Sequence, residues 1–297
     1  MSKPVLKWVG GKTQIATDVL ALFPSTMNNY HEPFIGGASI LLSLLERIKE
    51  GSIVVQGAIY ASDVNPTLIM VYRCIQFSPS VFIAEVRKIL AVFESLHGTE
   101  VNRKPTTLAE AYTSQQSYYY WIRTQFNAVR TSPPTLTSAA MFLFLNKTCF
   151  RGVYREGPKG FNVPFGHYKT TPTVLDDANI YAISTLIQHV VFTVCDYADA
   201  LARAVVGDFV YLDPPYAPQT ASSFVTYTES GFGLEKHTNL FAWCTSTPVK
   251  FLLSNAQVPL VTSAFPAPTY TTRVITCRRA INSKNPSATA SEVLITN

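Results

Sequence analysis

The chain has 297 residues, of which 47% are hydrophobic and 14% are charged, with a formal net charge of +5. A composition this apolar and this weakly charged excludes an intrinsically disordered chain. The densest apolar run, over residues 139–145, is far shorter than the roughly 20 residues that a membrane-spanning helix needs. The five cysteines have no C-x-x-C spacing, which favours free thiols over a disulfide framework or a zinc site.

The amino-terminal part predicts an α/β arrangement. Residues 13–23 have the apolar spacing of a helix, and residues 40–49 predict a second one. Between them, residues 31–39 predict a strand end that enters a glycine-rich turn. A short strand is predicted over residues 58–62. The order strand, turn, helix, strand is typical of a parallel α/β sheet.

The middle of the chain, about residues 68–146, has mainly helical patterns. The aromatic segment at residues 118–127 has apolar residues at i, i+4 spacing, so we interpret it as helix core and not as a surface that stacks on nucleic acid. That stripe is formed by Tyr118, Ile122 and Phe126. Residues 139–146 predict a further helix. Residues 147–173 are rich in Gly, Pro and basic residues and predict a loop or small hairpin.

Strand patterns return in the last third of the chain. The predicted strands cover residues 190–194, 209–212, 249–253, 273–277 and 293–295. The sequence therefore predicts an α/β domain that is interrupted by a helical insert.

The strongest indication of chemistry is Asp213-Pro214-Pro215-Tyr216, directly after the apolar strand 209–212. Ligands of open parallel sheets bind at the carboxyl ends of the strands. The two prolines stiffen the turn and remove two backbone donors, so the turn offers the Asp213 carboxylate and the Pro214 carbonyl as acceptors. These acceptors suit an amino group, and Tyr216 supplies a ring on which a planar base can stack. The alternative is an ordinary rigid turn with a buried tyrosine.

Three weaker motifs accompany this turn. Residues 32–39, E-P-F-I-G-G-A-S, form a glycine turn that a ligand can approach closely, but they lack the G-x-G-x-x-G dinucleotide fingerprint. Asp63, at the end of the strand 58–62, lies where an acid commonly binds ribose hydroxyls. Its alternative role is the N-cap of a helix that begins at Pro66. Residues 7–12, K-W-V-G-G-K, indicate either a cap over a cofactor with an amino-acid tail or a surface loop.

Together these motifs resemble those of the Dam-like, D12 class of DNA adenine N6-methyltransferases. K-W-x-G-G-K, E-P-F-x-G-G-A-S, S-D-x-N and D-P-P-Y occur here in that family's order. Three further family motifs are F-N-V-P-F-G at residues 161–166, S-N at residues 254–255 and R-R-A-I at residues 278–281. The resemblance runs from Leu6 to the carboxyl terminus.

The resemblance implies an α/β fold, with a Rossmann-like S-adenosylmethionine-dependent methyltransferase sheet and an inserted, mainly helical target-recognition domain. Residues 1–67 and 186–297 would form the discontinuous catalytic domain that binds the cofactor. Residues 68–185 would form the target-recognition domain.

The implied reaction is transfer of a methyl group from S-adenosylmethionine to N6 of a flipped adenine in double-stranded DNA, at a specific site and without a metal. The implied catalytic residues are Asp213, Pro214, Pro215 and Tyr216. The implied cofactor-binding residues are Trp8, Lys12, Phe34, Gly36, Gly37, Ser39, Asp63, Asp196 and Asp213. Ala38 stands where the family often has glycine, and we expect a local adjustment instead of a loss of binding.

Residues 146–155, N-K-T-C-F-R-G-V-Y-R, resemble the family's DNA-reading hairpin, which we place near residues 147–169. Lys147 is expected to contact the DNA backbone. Phe150 would enter the base stack, unless it is core. Arg151 and Arg155 suit guanine edges, with phosphate contacts as the alternative. Family members known for GATC carry Asn at the position that matches Arg151, which argues against a GATC site.

Basic residues are concentrated in two segments. Residues 147–169 carry five Lys or Arg and one acid, and residues 273–284 carry four Lys or Arg and no acid. This distribution favours a polyanionic partner whose binding weakens steeply with salt.

Other functions use related geometry. N4-cytosine methylation needs the same acceptors, but Ser is more common there at the position of Asp213. An RNA or protein-amide methyltransferase and a catalytically inactive DNA-binding relative are further alternatives. We expect an intracellular protein (in the bacterial cytoplasm, or in the host cell if viral) that is a monomer or weak dimer without a membrane partner. A cognate restriction endonuclease would act without forming a stable complex with it.

Overall fold

The computed structural model describes residues 2–168, 170–218, 231–278 and 289–297. The chain divides into two compact units, each discontinuous in sequence. The sheet unit comprises Lys12–Ile35, Ser43–Val64 and His189–Asn297. The helical unit comprises Met1–Gly11, Gly36–Leu42 and Asn65–Gln188.

The described strands and helices are numbered in chain order. The strands are β1 Thr26–Met27, β2 Tyr30–Glu32, β3 Val54–Val55, β4 Ile59–Asp63, β5 Glu156–Gly157, β6 Gly160–Phe161, β7 Val190–Val194, β8 Phe209–Leu212, β9 Lys250–Ala256, β10 Thr271–Arg278 and β11 Thr289–Thr296. The helices are α1 Ala16–Leu20, α2 Ser39–Lys49, α3 Pro66–Phe77, α4 Pro79–Ser95, α5 Leu108–Ala111, α6 Gln115–Val129, α7 Leu136–Thr148, α8 Asp177–Leu186, α9 Tyr197–Leu201, α10 Leu234–Ser246 and α11 Pro259–Thr262.

The sheet unit is built on a seven-stranded sheet with the order β10-β11-β9-β8-β2-β4-β7. The pairings from β9 through β8, β2 and β4 to β7 are all parallel. β11 is antiparallel to both of its neighbours, β9 and β10. The sheet is therefore mostly parallel, and the prediction of a mixed α/β fold is confirmed.

Acidic residues gather where the parallel strands end, an edge that we call the carboxyl edge. β2 ends at Glu32, β4 ends at Asp63, and β8 leads directly into Asp213. β11 runs in the opposite direction, so its beginning, with Glu292, lies at the same edge. This edge is where ligands of open α/β sheets bind.

A hydrophobic core holds the strands of the sheet unit and its helices together. Its members include Leu240 of α10, Phe251 and Leu253 of β9, and Val293 of β11, all of them fully buried. Burial of each such side chain contributes about 1.5–3 kcal/mol. This core holds β8 and β9 in place, and they in turn support the residues that follow β8.

The helical unit begins its helices with well-defined caps. Asn65 accepts hydrogen bonds from the first turn of α3, and Pro66 occupies the first helical position. Pro79 separates α4 from α3, since proline cannot continue the preceding helix. Thr135 forms a capping box at the start of α7, which packs against α3, α4 and α6. The unit is consequently a helix bundle around α7.

The aromatic stripe of α6 lies in the core of the helical unit, as predicted. Tyr118, Ile122 and Phe126 are all buried, and so are Tyr119 and Tyr120. A surface role in stacking on nucleic acid is therefore excluded for these side chains.

In two other segments the structure differs in detail from the prediction. The helix expected over residues 13–23 is only the five-residue α1, because the chain forms i→i−3 turns on both sides, from Ile15 to Lys12 and from Phe23 to Leu20. The predicted loop or hairpin after residue 146 holds a 3₁₀ turn, Phe150–Gly152, and the hairpin of β5 and β6.

Within the described part of the chain, no helix is long and apolar enough to cross a membrane. In the same residues, no group of three or more His, Cys, Asp or Glu side chains could hold a metal ion. The described cysteines that are free thiols are Cys74, Cys149, Cys195 and Cys244.

Candidate active site

Asp213 begins a rigid turn at the carboxyl edge, directly after the fully buried strand β8. Its Oδ1 lies 2.8 Å from the Nζ of Lys12. The Lys12 side chain is 4% exposed, whereas that of Asp213 is 19% exposed. Asp213 therefore has a buried counter-ion and remains within reach of a ligand.

Opposing effects act on the protonation of Asp213. Burial raises the pKa of its carboxyl above the ordinary value, and the Lys12 ammonium lowers the pKa by favouring the charged form. The nearby Glu292 carboxylate raises the pKa again, and the sum of the effects is a raised pKa. Lys12 is thus the group that favours the ionised form of this carboxylate.

Tyr216, at the end of the turn, is anchored through its hydroxyl. Burial raises the pKa of Tyr216 well above its ordinary value, so the hydroxyl keeps its proton and donates it to Glu292 Oε2 at 2.7 Å. Ser254 Oγ lies 2.8 Å from the same hydroxyl. Since the tyrosine proton is committed to the carboxylate, Ser254 is the donor in that second bond. The Lys12 ammonium lies 4.7 Å from the centre of the Tyr216 ring.

The backbone of the turn is held from two sides. The fully buried His237 of α10 contacts the Pro215 carbonyl through Nε2 at 3.1 Å and the Gly233 carbonyl through Nδ1 at 3.0 Å. The Ala217 amide donates to Asn255 Oδ1 at 3.0 Å. Burial lowers the pKa of His237, whereas the two carbonyl contacts raise it, and a neutral ring donates a hydrogen bond to only one of these carbonyls. These contacts fix the turn to both α10 and β9.

A second buried carboxyl lies in β2. Glu32 is 3% exposed and accepts a hydrogen bond from the Tyr30 hydroxyl at 2.7 Å. Burial raises the pKa of Glu32 to about 8, the Tyr30 hydrogen bond opposes the rise, and the Asp213 carboxylate adds to it. Glu32 is therefore a buried acid that titrates near neutral pH.

Two buried polar atoms in this region lack hydrogen-bond partners among the described residues. They are the Tyr211 hydroxyl, on β8, and Nδ2 of Asn255, on β9. Most buried polar atoms in folded proteins are paired, and exceptions are typical of functional sites or of ordered water.

The other two acids predicted to bind the cofactor, Asp63 and Asp196, lie at the end of β4 and at the start of α9. Asp63 is the last residue of β4, and the cap of α3 is Asn65, so the alternative N-cap role of Asp63 is wrong. The side chain of Asn65 reaches the second and third residues of the helix, a distance that suits the immediate N-cap position. Asp196 caps α9 by accepting from the Ala198 amide, and it pairs with Lys236 at 3.3 Å.

Phe34 lies in an aromatic cluster of the sheet unit. Its ring is stacked on Tyr197, with centroids 5.5 Å apart, and meets Phe232 edge-on at 5.6 Å. Phe34 is half-buried, so part of the ring surface stays accessible to a planar ligand.

Trp8, Gly36 and Gly37 lie together in the helical unit. A Cβ at Gly36 would lie 2.5 Å from Trp8 Cδ1, and one at Gly37 would lie 3.1 Å from Trp8 Cβ. Tyr154 stacks on the Trp8 indole at 5.5 Å, which fixes the orientation of the ring. The Tyr72 hydroxyl donates to the Gly36 carbonyl at 3.3 Å. The glycines are thus required for the close approach of the indole to the turn.

Ala38, in the same turn, has a φ of 59°, in the left-handed region that favours glycine. Ala38 therefore has a backbone conformation that is strained for a residue with a Cβ. The helix α2 starts at the next residue, Ser39, so the turn is held in place despite the strain.

The residues predicted to contact DNA lie at and after the end of α7. Phe150 is half-buried, and the Arg151 guanidinium lies 5.2 Å from the centre of its ring. Arg155 is exposed and donates from Nε to Asn162 Oδ1 at 2.7 Å. Lys147 is half-buried, and this burial lowers its pKa to about 8. Phe150 is not a fully buried core residue.

Some predicted basic and motif residues lie outside the described residues. These are Lys169, Arg279, Ala280, Ile281 and Lys284. The basic segment near the carboxyl terminus is therefore described only through residue 278.

Two residues of the site had no sequence signal. Glu292 is 76 positions from Tyr216 along the chain, and only the pairing of β11 with β9 brings it to the turn. His237 lies in an amphipathic helix with no recognisable motif, and its contact with Pro215 depends on how α10 packs. Tertiary structure alone reveals these contacts.

Comparisons with known proteins identify the family of the chain. The family model for D12 class N6 adenine-specific DNA methyltransferases matches residues 8–276. The Type II methyltransferase M.MjaIII of Methanocaldococcus jannaschii is 34% identical over 237 residues, which cover 77% of this chain and 75% of the relative. The DNA adenine methylase of Haemophilus influenzae is 32% identical over 235 residues, covering 78% and 70%. The Type II methyltransferase M1.LlaDCHI of Lactococcus lactis is 30% identical over 271 residues, covering 87% and 82%.

The matched family model spans nearly the whole chain, and relatives of at least 30% identity extend over more than two thirds of it. The chain belongs to the D12 class of N6 adenine-specific DNA methyltransferases.

Proposed function

We propose that the turn Asp213–Tyr216 binds the adenine whose N6 receives the methyl group from S-adenosylmethionine. Site-specific adenine methylation of DNA with this donor is the activity of the family to which the chain belongs. The observation that carries the residue assignment is the buried Lys12–Asp213 ion pair at the carboxyl edge, next to the anchored ring of Tyr216.

The amino group of adenine has two N–H donors, and the turn has matching acceptors. Lys12 contacts Oδ1 of Asp213, so we assign Oδ2 to one N–H and the Pro214 carbonyl to the other. Holding both N–H bonds aims the nitrogen lone pair at the methyl group. Correct orientation of reacting groups can lower a barrier by several kcal/mol.

Tyr216 supplies the surface that replaces base stacking. Removing a base from the duplex costs a few kcal/mol, which stacking on an aromatic ring offsets. Its ring is fixed before the base arrives, because its hydroxyl is bonded to Glu292 and Ser254.

The residues of the sheet unit fit a cationic cofactor. S-adenosylmethionine supplies an activated methyl group on a sulfonium, and it carries a positively charged amino group. In the sheet unit, Asp213 would hold the methionine end and Asp63 the ribose hydroxyls, while Phe34, Lys12 and Asp196 complete the assigned positions.

The helical unit contributes the remaining cofactor assignments. Trp8 packs on Gly36 and Gly37 so closely that any side chain at Gly36 would collide with the indole. We assign this turn, together with Ser39, to the surface along which the cofactor lies.

We also assign the helical unit to target recognition in double-stranded DNA. The unit carries the exposed Arg155 and the half-buried Phe150 in one short segment after α7. Phe150 would insert into the base stack, and Arg151 and Arg155 would contact bases or phosphates. Lys147 remains a candidate for a backbone contact.

Two relatives are named Type II methyltransferases, which favours modification alongside a separate restriction endonuclease for this chain as well. Sequencing that detects N6-methyladenine, in DNA from cells that express the protein, gives the recognition sequence. If this DNA carries no modified adenine, the proposal fails.

A transfer assay with tritiated S-adenosylmethionine tests the reaction. Duplex DNA should accept label, whereas RNA and protein should not, and Asp213→Ala should abolish transfer while its circular dichroism spectrum stays unchanged. Label on cytosine, or a folded and active Asp213→Ala variant, would overturn the proposed chemistry.

A further inference from the structure

We propose that Glu292 is a positioning residue for Tyr216, whose ring it holds in the orientation that stacks on the target base. This inference rests on the proposed role of Tyr216. Glu292 belongs to none of the sequence motifs of the site, and it lies on a strand that follows the turn by more than 70 residues.

The geometry anchors the ring at its far end. Tyr216 Oη lies 2.7 Å from Glu292 Oε2 and 2.8 Å from Ser254 Oγ. Rotation about the Cα–Cβ bond would move the hydroxyl, so the two hydrogen bonds fix the far end of the ring. Rotation about the Cβ–Cγ bond leaves the oxygen in place, and the bonds restrict it through the preference of a phenolic hydroxyl for partners near the plane of the ring. A hydrogen bond to a carboxylate is about twice as strong as one between neutral groups. Glu292 is therefore the stronger of the two anchors.

The strand register explains why these partners meet. Ser254 of β9 is paired with Leu294 of β11, and Glu292 is two residues before Leu294. Side chains two residues apart on a strand point to the same face. Ser254 and Glu292 consequently project together from neighbouring, hydrogen-bonded strands, which form a rigid support for the ring.

Glu292 has no competing ionic role in the described part of the chain. Lys12 pairs with Asp213. The described ion pairs do not include Glu292, and its described hydrogen bond is the one from Tyr216. Glu292 is half-buried, and its described partner is Tyr216. We therefore infer that Glu292 serves to orient Tyr216.

The test uses the single-turnover rate of methyl transfer on a duplex that contains the mapped site. Glu292→Ala and Tyr216→Phe should each lower this rate about 10-fold, with the KM for S-adenosylmethionine unchanged. Glu292→Gln keeps an acceptor oxygen and should stay within about threefold of the wild type. The double variant should lose no more than Tyr216→Phe alone, because that variant already lacks the hydrogen bond to Glu292.

Ser291→Ala is the matched control, since it changes the preceding, exposed residue of the same strand, which points to the opposite face. It should leave the rate unchanged.

As a second readout, 2-aminopurine replaces the target adenine. Its emission should be higher with Glu292→Ala than with the wild type, because a loosely held ring quenches the flipped base less.

The outcomes separate the inference from the proposed function. If Tyr216→Ala abolishes transfer but Glu292→Ala keeps the full rate and emission, Glu292 is not a positioning residue and the proposed site stands. If Tyr216→Ala is itself fully active, the proposed role of Tyr216 fails first. Additive losses in the double variant would also overturn the inference.

Discussion

Lys12 and Asp213 form an ion pair in which Nζ lies 2.8 Å from Oδ1, and the lysine is almost completely buried. The same ammonium lies 4.7 Å from the centre of the Tyr216 ring. One cation thus contacts both residues that we assign to the target base. Removing one partner of a buried pair leaves the other charge uncompensated, which is strongly unfavourable.

The first prediction concerns the pH dependence of Lys12→Met. Burial already raises the pKa of Asp213, and the lysine is the group that opposes this rise. Without the lysine, the pKa of Asp213 rises further, so the carboxylate protonates at higher pH. The acidic limb of the kcat/KM profile should therefore move to higher pH, and kcat/KM at pH 7 should fall at least about 10-fold.

Lys12→Arg is the control for charge, because it keeps the cation. Its acidic limb should stay near that of the wild type even if the rate falls through imperfect geometry. An unchanged limb in Lys12→Met would mean that Asp213 ionisation does not limit the reaction.

The second prediction concerns the stability of Glu32→Gln. The folded state raises the pKa of Glu32 from 4.5 to about 8, so folded protein binds more protons than unfolded protein between these values. The resulting stability is fully present below pH 4.5 and is lost as the pH rises through 8. The wild type should lose a few kcal/mol of unfolding free energy across this window through Glu32.

Glu32→Gln should lack this contribution, since its amide does not titrate but still accepts from Tyr30. Urea unfolding of both proteins at pH 5, 6.5 and 8.5 gives the comparison. The difference in unfolding free energy between them should change with pH in favour of the variant at pH 8.5. A constant difference would show that Glu32 has an ordinary pKa.

The sequence predicted the parallel α/β order and the Asp213 turn well, because both depend on local patterns. Strand 209–212 matches β8 residue for residue, since a continuous apolar run is typical of a parallel strand that is buried on both faces. The role of Asp63 is harder to predict from the sequence, because two residues that can cap a helix, Asp63 and Asn65, precede Pro66. In the structure, Asn65 is the cap.

Glu292 and His237 could not be predicted, since no local pattern indicates which distant strand or helix will pack on a turn. The position of Glu292 depends on the strand order, and that of His237 depends on how α10 packs. The length of α1 was overestimated because apolar spacing alone does not distinguish an α-helix from consecutive turns.

The third prediction contrasts two substitutions in the turn of the helical unit. Ala38→Gly relieves a positive φ, a gain of about 1–2 kcal/mol that the greater freedom of glycine in the unfolded chain partly offsets. We expect a net stabilisation of about 0.5–1 kcal/mol. Gly36→Ala should destabilise by about 3 kcal/mol, because it adds both a collision with Trp8 and a strained φ of 45°.

Urea unfolding measures both effects. Equal stabilities of Gly36→Ala and the wild type would show that the indole does not pack against Gly36.

The fourth prediction separates base contacts from phosphate contacts in the segment after α7. Asn162 holds Nε of Arg155, which leaves the two terminal nitrogens of a fixed guanidinium to face DNA. That arrangement suits bidentate contact with guanine, so Arg155→Ala should weaken binding to the mapped site by about 1–3 kcal/mol and spare a scrambled duplex. Arg155→Lys should not restore the preference, because lysine lacks the planar fork.

Arg151→Ala provides the comparison, because its guanidinium lies beside Phe150. If it contacts a phosphate, its loss weakens binding to both duplexes and lowers the slope of log K against log salt by about 1. Fluorescence anisotropy with both duplexes at several salt concentrations measures the two effects. An equal loss on both duplexes in Arg155→Ala, with a reduced salt slope, would assign Arg155 to the phosphate backbone, and base reading would then rest on other side chains.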